Sequence, residues 1–274
     1  MKQRTITAIF FSIVMLLGVL GGTYSFLSIF LVITAVCLWE FYQITLKEES
    51  LFIKLYASAV SLTPYIWVAL ERLLNTTTFD YASLLALLFI LLSSTFIVQL
   101  YRKSALPFSV IGTVFTGFIY IGIPFTLLQF IAYPSNAIGY VYKFPLGIML
   151  LCWANDSFAY LFGSKWGKNS LFKSISPKKT WEGTIMGAIM TLLVSIILGF
   201  LLDEGRLFVW IGIGIIVGIF GTIGDLVESQ LKRSYGIKDS GNILPGHGGF
   251  LDRFDAFLFT IPFVFVWLYL NGLI

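Results

Sequence analysis

Long apolar runs recur along almost the whole of this chain, each close to the about 20 residues an α-helix needs to cross roughly 30 Å of hydrocarbon. Lipid offers a backbone no hydrogen-bond partner, so segments of this kind cross it as helices that satisfy their own N–H and C=O groups. That ruler gives about nine spans. They lie near Thr5–Gly22, Tyr24–Trp39, Leu51–Leu70, Tyr81–Leu100, Leu106–Tyr133, Phe144–Phe162, Trp181–Leu202, Leu207–Val227 and Ala256–Leu273. The second run is short, which leaves a bundle of about eight as the alternative. Lys2 and Arg4 precede the first run as they would in a signal peptide, but no small-residue cleavage site follows, so the run is read as a retained span. The expected fold class is therefore an all-α integral membrane protein, a polytopic helical bundle. Composition agrees: 58% of the residues are hydrophobic and 12% charged, whereas a soluble domain carries about a quarter of its residues as charges.

The charges orient the bundle. With a cytoplasmic N-terminus, all of the 18 Lys and Arg residues except Arg72, Lys143 and Arg206 fall on the inside, as the positive-inside rule requires. Miscounting one span in the middle of the chain would spoil that bias, so orientation and span count support each other. A multi-pass protein of the cell's inner (cytoplasmic) membrane is expected, with membrane lipids as its surroundings. The net charge of +4 follows from insertion and gives no support to nucleic-acid binding. Cys37 and Cys152 lie inside apolar runs and read as reduced, buried thiols.

Polar residues divide the chain further. Residues 1–142 have short loops with few groups able to converge on a site and are expected to be scaffold. Residues 143–274 contain two longer inside loops, 163–180 and 228–255, and are expected to be the catalytic part. Ionisable residues in or beside spans are costly and mark candidate sites. Asp156 is one, flanked by Asn155 and Ser157. Asp225 is another. With Glu228, Ser229 and Lys232 it follows i, i+3, i+4, i+7 spacing, which places all four on one helix face. Glu228 and Lys232 can pair at i, i+4 as a purely structural device, whereas Asp225 has no such partner on its own helix.

The following loop mixes cations, glycines and acids: Lys232, Arg233, Lys238, Asp239, Gly248, Gly249, Asp252, Arg253 and Asp255. Glycines let backbone N–H groups turn toward an anion, and Lys and Arg neutralise it. Asp252 and Asp255 can share one side of a helix's first turn, and such hard oxygen donors suit Mg²⁺. Zinc is disfavoured by a single histidine, His247, with neither cysteine near it. In the other loop, Ser176, Lys178 and Lys179 precede Thr180, a candidate N-cap, with Trp181 at the interface. A capped helix start beside two lysines is a ready anion site.

The string Ser229-x-x-Lys232-Arg233-x4-Lys238-Asp239-x-Gly241-x3-Pro245-x-His247-Gly248-Gly249-x2-Asp252-Arg253-x-Asp255 closely resembles the signature of the phosphatidate cytidylyltransferase (CDP-diacylglycerol synthase) family. Asp156-Ser-Phe-Ala-Tyr160 and Ser176-Pro-Lys-Lys-Thr-Trp-Glu-Gly183 resemble upstream blocks of that family. The motifs cover about residues 153–255, and Gly167-Lys168-Asn169-Ser170 matches less well. The resemblance implies transfer of CMP from CTP to phosphatidate, with Mg²⁺ required, K⁺ as a candidate second cation, and a homodimer as the candidate assembly. It implies metal ligands at Asp225, Asp252 and Asp255. Catalytic roles then fall to Asp225, Asp252, Lys232, Arg233 and His247. Substrate binding falls to Asp156, Ser176, Lys178, Lys179, Lys238, Asp239, Gly248, Gly249 and Arg253. Two other readings predict different features. A CTP-dependent enzyme acting on another membrane lipid, such as a polyprenol, would keep the same site, whereas a channel or transporter would spread polar residues through several spans instead of gathering them at one face.

Overall fold

The computed structural model describes residues 2–74, 81–102, 105–134, 139–243 and 248–274. Its helices are α1 (Lys2–Leu20), α2 (Thr23–Thr45), α3 (Leu51–Leu74), α4 (Tyr81–Arg102), α5 (Pro107–Gly117), α6 (Ile123–Ala132), α7 (Lys143–Trp166), α8 (Trp181–Leu202), α9 (Leu207–Ile216), α10 (Thr222–Ser234) and α11 (Leu251–Leu270). Five-residue π-helical segments, Phe118–Gly122 and Val217–Gly221, join α5 to α6 and α9 to α10. Among the described residues, eight helical stretches are long and apolar enough to cross a membrane, and a shorter apolar helix, Thr5–Leu20, precedes them. Large apolar side chains such as Phe10, Phe89, Ile197 and Leu201 point outward. A soluble protein would aggregate through such a surface, whereas lipid solvates it.

Three boundaries differ most from the sequence reading. The second helix, expected to stop at Trp39, continues to Thr45 because Glu40 is buried and fully engaged, as described below. The eighth span runs through α10 to Ser234, its amphipathic end carrying Asp225, Glu228 and Lys232. The last span starts at Leu251, since acids in a helix's first turn are favoured by the positive end of its dipole.

By internal packing the chain forms two compact units, residues 1–129 with 240–251, and residues 130–239 with 252–274. In the first, polar groups inside the spans find partners. Tyr42 Oη lies 2.6 Å from Ser61 Oγ and donates to the Val114 carbonyl at 3.0 Å. Tyr65 Oη donates to the Leu27 carbonyl at 2.9 Å, and Gln129 Nε2 donates to the Tyr65 carbonyl at 2.9 Å. Each of these would be expensive to leave unpaired in hydrocarbon.

In the second unit, α7 and α8 approach through small residues. A Cβ on Gly183 would stand 2.6 Å from the Ala159 carbonyl and 2.8 Å from Gly163 Cα, and one on Gly187 would stand 2.9 Å from Ala159 Cβ. Ala159/Gly163 and Gly183/Gly187 thus form a small-xxx-small seam on each helix, the pattern that lets membrane helices pack backbone to backbone. Between these helices the chain forms a hairpin of β1 (Ser170–Phe172) and β2 (Ser176–Thr180), antiparallel, with Ser170 opposite Thr180 and Phe172 opposite Ser176. Thr180 caps α8 as expected, its hydroxyl accepting the Gly183 N–H at 3.2 Å.

Candidate active site

The hairpin, α7 and α10 enclose a cavity of about 470 Å³. From α7, Asn155, Asp156, Ala159, Tyr160 and Gly163 line it, residues that fall on one helical face. Lys178, Lys179 and Thr180 come from β2, and Thr222 and Asp225 from α10. The small-residue seam places the hairpin beside the C-terminal end of α7 and the N-terminal end of α8. Glu182, in the first turn of α8, fixes the turn before β1: it accepts the N–H groups of Lys168 and Asn169 at 3.1 and 3.2 Å and the Asn169 side-chain amide at 2.8 Å. Arg233 on α10 reaches over the same hairpin, donating to the Ile175 carbonyl at 3.5 Å and to the Ile237 carbonyl at 3.0 Å.

Asp225, which has no partner on its own helix, pairs with Lys179 across the cavity. A second cluster adjoins it along α10. Lys232 pairs with the fully buried Glu228, its i−4 neighbour, and lies 2.6 Å from Asp252 on α11. One ammonium therefore serves two carboxylates, and among the described residues the buried Glu228 Oε1 has no hydrogen-bond donor. Close approach of α11 to α10 depends on Gly224, where a Cβ would stand 2.7 Å from the Asp255 carbonyl oxygen. Asp255 is within electrostatic reach of Asp225, Glu228 and Asp156, and Asp156 is within reach of Asp225, Lys179 and Arg253. The neighbourhood is rich in carboxylates, with Lys179, Lys232 and Arg253 as balancing cations.

The residues singled out in the sequence are distributed unevenly over this site. Asp156, Lys178, Lys179 and Asp225 line the cavity. Asp252, Asp255 and Lys232 stand at the α10–α11 contact, and Arg253 is exposed on α11. Ser176 is half-buried in β2, opposite Phe172, and contributes no lining to the cavity. Lys238 and Asp239 are exposed after α10. Gly248 has φ +80°, a backbone state suited to glycine. Gly249 is buried against the Glu40 carboxylate in the first unit. His247 lies outside the described residues.

Sequence reasoning names Asn155 and Tyr160 only as neighbours of Asp156 and passes over Thr184 and Thr222, uncharged groups that with them line the cavity. Asn155 is 1% exposed and accepts a hydrogen bond from Thr191 Oγ1 at 3.4 Å. It also passes over Glu40, although an acid inside an apolar run is the same signal that marks Asp156.

A divalent cation can be tested against these donors. Among the described residues, no three His, Cys, Asp or Glu side chains converge closely enough to hold an ion unaided. Mg²⁺ on a nucleotide needs only one or two carboxylates, with phosphate oxygens and water completing its shell. Asp225 and Asp255, neighbours in a partly desolvated pocket with an excess of negative charge, fit that requirement.

Comparison with known proteins agrees with these observations. Residues 2–271 match the Cytidylyltransferase family. A phosphatidate cytidylyltransferase of Staphylococcus haemolyticus (strain JCSC1435) is 37% identical over 274 residues, 96% of each chain. One from Bacillus subtilis (strain 168) is 33% identical over 269 residues, 97% of this chain and 96% of that one. Over a shorter stretch of 182 residues, 66% of each chain, the phosphatidate cytidylyltransferase of Staphylococcus aureus (strain COL) is 42% identical.

Proposed function

The chain belongs to the cytidylyltransferase family, and from that premise we infer that it is a multi-pass membrane nucleotidyltransferase that transfers CMP from CTP to phosphatidate, giving CDP-diacylglycerol and pyrophosphate. The observation that carries this reading is the meeting of Lys178 and Lys179 with Asp156 and Asp225 around one cavity at the ends of membrane-length helices. A lipid phosphate can reach such a place while its acyl chains remain in the bilayer.

The chemistry asks little of a general base. A phosphatidate oxygen attacks the α-phosphorus of CTP, a new P–O bond forms, the bond to the β-phosphate breaks, and pyrophosphate leaves with the electron pair. Because the attacking phosphate is already anionic near neutral pH, catalysis consists of positioning and of neutralising charge. Lys178 and Lys179 would hold phosphates at the cavity wall. Lys179 is well suited to this, since its pairing with Asp225 keeps its ammonium oriented before substrate arrives. Lys232, held between Glu228 and Asp252, would keep α10 and α11 in register while presenting charge to the pyrophosphate end. Arg233, Lys238 and Arg253 are proposed as further phosphate contacts, Asp239, Gly248 and Gly249 as the backbone around them, and Ser176 and His247 as hydrogen-bonding partners of the substrates. Asp156 would orient the nucleotide.

Asp225 and Asp255 would hold Mg²⁺, with Asp252 as the alternative ligand. Mg²⁺ would neutralise the triphosphate oxygens as negative charge moves onto the leaving pyrophosphate. A K⁺ ion beside it, a homodimer, and a cytoplasmic location for the cavity at the inner membrane belong to the same proposal. The cytoplasmic orientation rests on the distribution of Lys and Arg among the loops.

Labelled CTP offered with a panel of membrane lipids tests the substrate. Label entering phosphatidate as CDP-diacylglycerol is expected. Label entering a polyprenol and never phosphatidate would replace this assignment with another CTP-dependent lipid reaction.

A further inference from the structure

Glu40 lies in the part of the chain expected to be scaffold, yet its surroundings are those of a functional anchor. It is 3% exposed, near the end of α2. Its carboxylate accepts the Phe250 N–H at 3.0 Å, the Leu251 N–H at 2.9 Å and the Ser240 hydroxyl at 3.2 Å. Leu251 is the first residue of α11, and the first N–H groups of a helix have no acceptor within it. A carboxylate there meets both the orphan donors and the positive end of the helix dipole, forming charge-assisted hydrogen bonds. Glu40 thus caps α11 from another helix.

The glycines on either side are shaped to this carboxylate. A Cβ on Gly241 would stand 2.5 Å from Glu40 Oε1, and a Cβ on Gly249 would overlap both Glu40 and Ser240 Oγ. Neither glycine has a positive φ; among the described residues of this segment only Gly248 does. Close approach to the acid is what demands glycine at 241 and 249. Phe250 is held further by an edge-to-face contact with Phe11, ring centroids 6.4 Å apart. Asp252, Arg253 and Asp255 follow directly in the chain, on the first turn and a half of the helix that Glu40 caps.

We propose that Glu40 is a positioning residue of the reaction: by holding Ser240, Phe250 and Leu251 it sets the start and rotational phase of α11, and with them the placement of Asp252, Arg253 and Asp255. This rests on the nucleotidyl-transfer reading given above. An error of about 1 Å in the placement of reacting groups can lower turnover by about a hundred-fold. Loss of the anchor is therefore expected to appear in kcat more than in KM.

The test compares wild type with Glu40→Ala and Glu40→Gln as full-length protein in detergent or nanodiscs. Hydrogen exchange is followed in peptides covering residues 248–254, with peptides from α3 and α5 as internal controls, alongside kcat and KM for CTP and phosphatidate. In Glu40→Ala, fast exchange at Phe250 and Leu251 with unchanged controls is expected, and kcat should fall by about a hundred-fold with a smaller change in KM. Glu40→Gln retains one acceptor oxygen and should fall between. Should Glu40→Ala fail to fold, Glu40→Gln decides alone: looser exchange with reduced kcat supports the proposal, and wild-type values of both overturn it. Unchanged exchange in Glu40→Ala refutes the anchor, and loosened exchange with wild-type kcat refutes its bearing on the reaction. The exchange arm needs no substrate, so a wild-type protein without turnover would count against the functional reading and the catalytic half of this proposal, while leaving the anchor decided.

Discussion

Individual side chains in the site are paired before any substrate is present, and the pairing decides what each substitution should do. Asp225 and Asp252 each face a lysine, Lys179 and Lys232. Removing Asp225 leaves Lys179 unoriented, and removing Asp252 leaves Lys232 to Glu228 alone; on the proposed reading Asp225 is also a metal ligand and Asp252 the alternative one. Asp225→Ala and Asp252→Ala are expected to lower kcat by at least about a hundred-fold in a folded, inserted protein. Wild-type turnover in either variant across a range of Mg²⁺ concentrations would remove that acid from the reaction. Lys232 shows the structural side of the same arrangement. Glu228 is fully buried and takes its ion pair from Lys232, so Lys232→Met should strand a buried charge and cost about 3 kcal/mol of stability. Thermal unfolding in detergent measures this. Adding Glu228→Gln to Lys232→Met should recover part of the loss, and failure to recover any would show that the pair is not what Lys232 stabilises.

At the scale of elements, the seam between α7 and α8 carries the most consequence, because it seats the hairpin that supplies Lys178 and Lys179. Gly183→Val puts two methyl groups beyond a Cβ that already meets the Ala159 carbonyl at 2.6 Å. A marked drop in unfolding temperature is expected, with loss of activity in the protein that remains. Gly205→Ala, where an added Cβ meets nothing within 4 Å, should leave both unchanged. Equal tolerance of the two substitutions would argue against the seam. Elements were also where the sequence was most legible. Span positions followed from apolar length, and Thr180 announced the start of α8. Helix ends carrying charge were harder to place, since hydropathy ends an apolar run at Glu40 and at Glu228 and begins the last one only after Asp255. It cannot see that Phe250, Leu251, Lys179 and Lys232 supply the missing partners from distant parts of the chain.

For the whole molecule, the sequence disclosed the membrane class and the family motifs, because both are written in local patterns. It did not disclose that Gly249 packs on Glu40, or that Lys179 meets Asp225, since these contacts join residues far apart in sequence. Orientation remains a prediction at this scale. Lys173 is exposed in the hairpin turn, whereas Cys37 and Cys152 are buried. A Lys173→Cys variant should therefore react with an impermeant thiol reagent only from the cytoplasmic side, and labelling in intact cells would invert the topology. The most direct test of the central claim is a purified-protein assay of pyrophosphate release from CTP. Release that requires phosphatidate and matches CDP-diacylglycerol formed one for one is the predicted result. No release with phosphatidate present, in a folded preparation supplied with Mg²⁺, would contradict it.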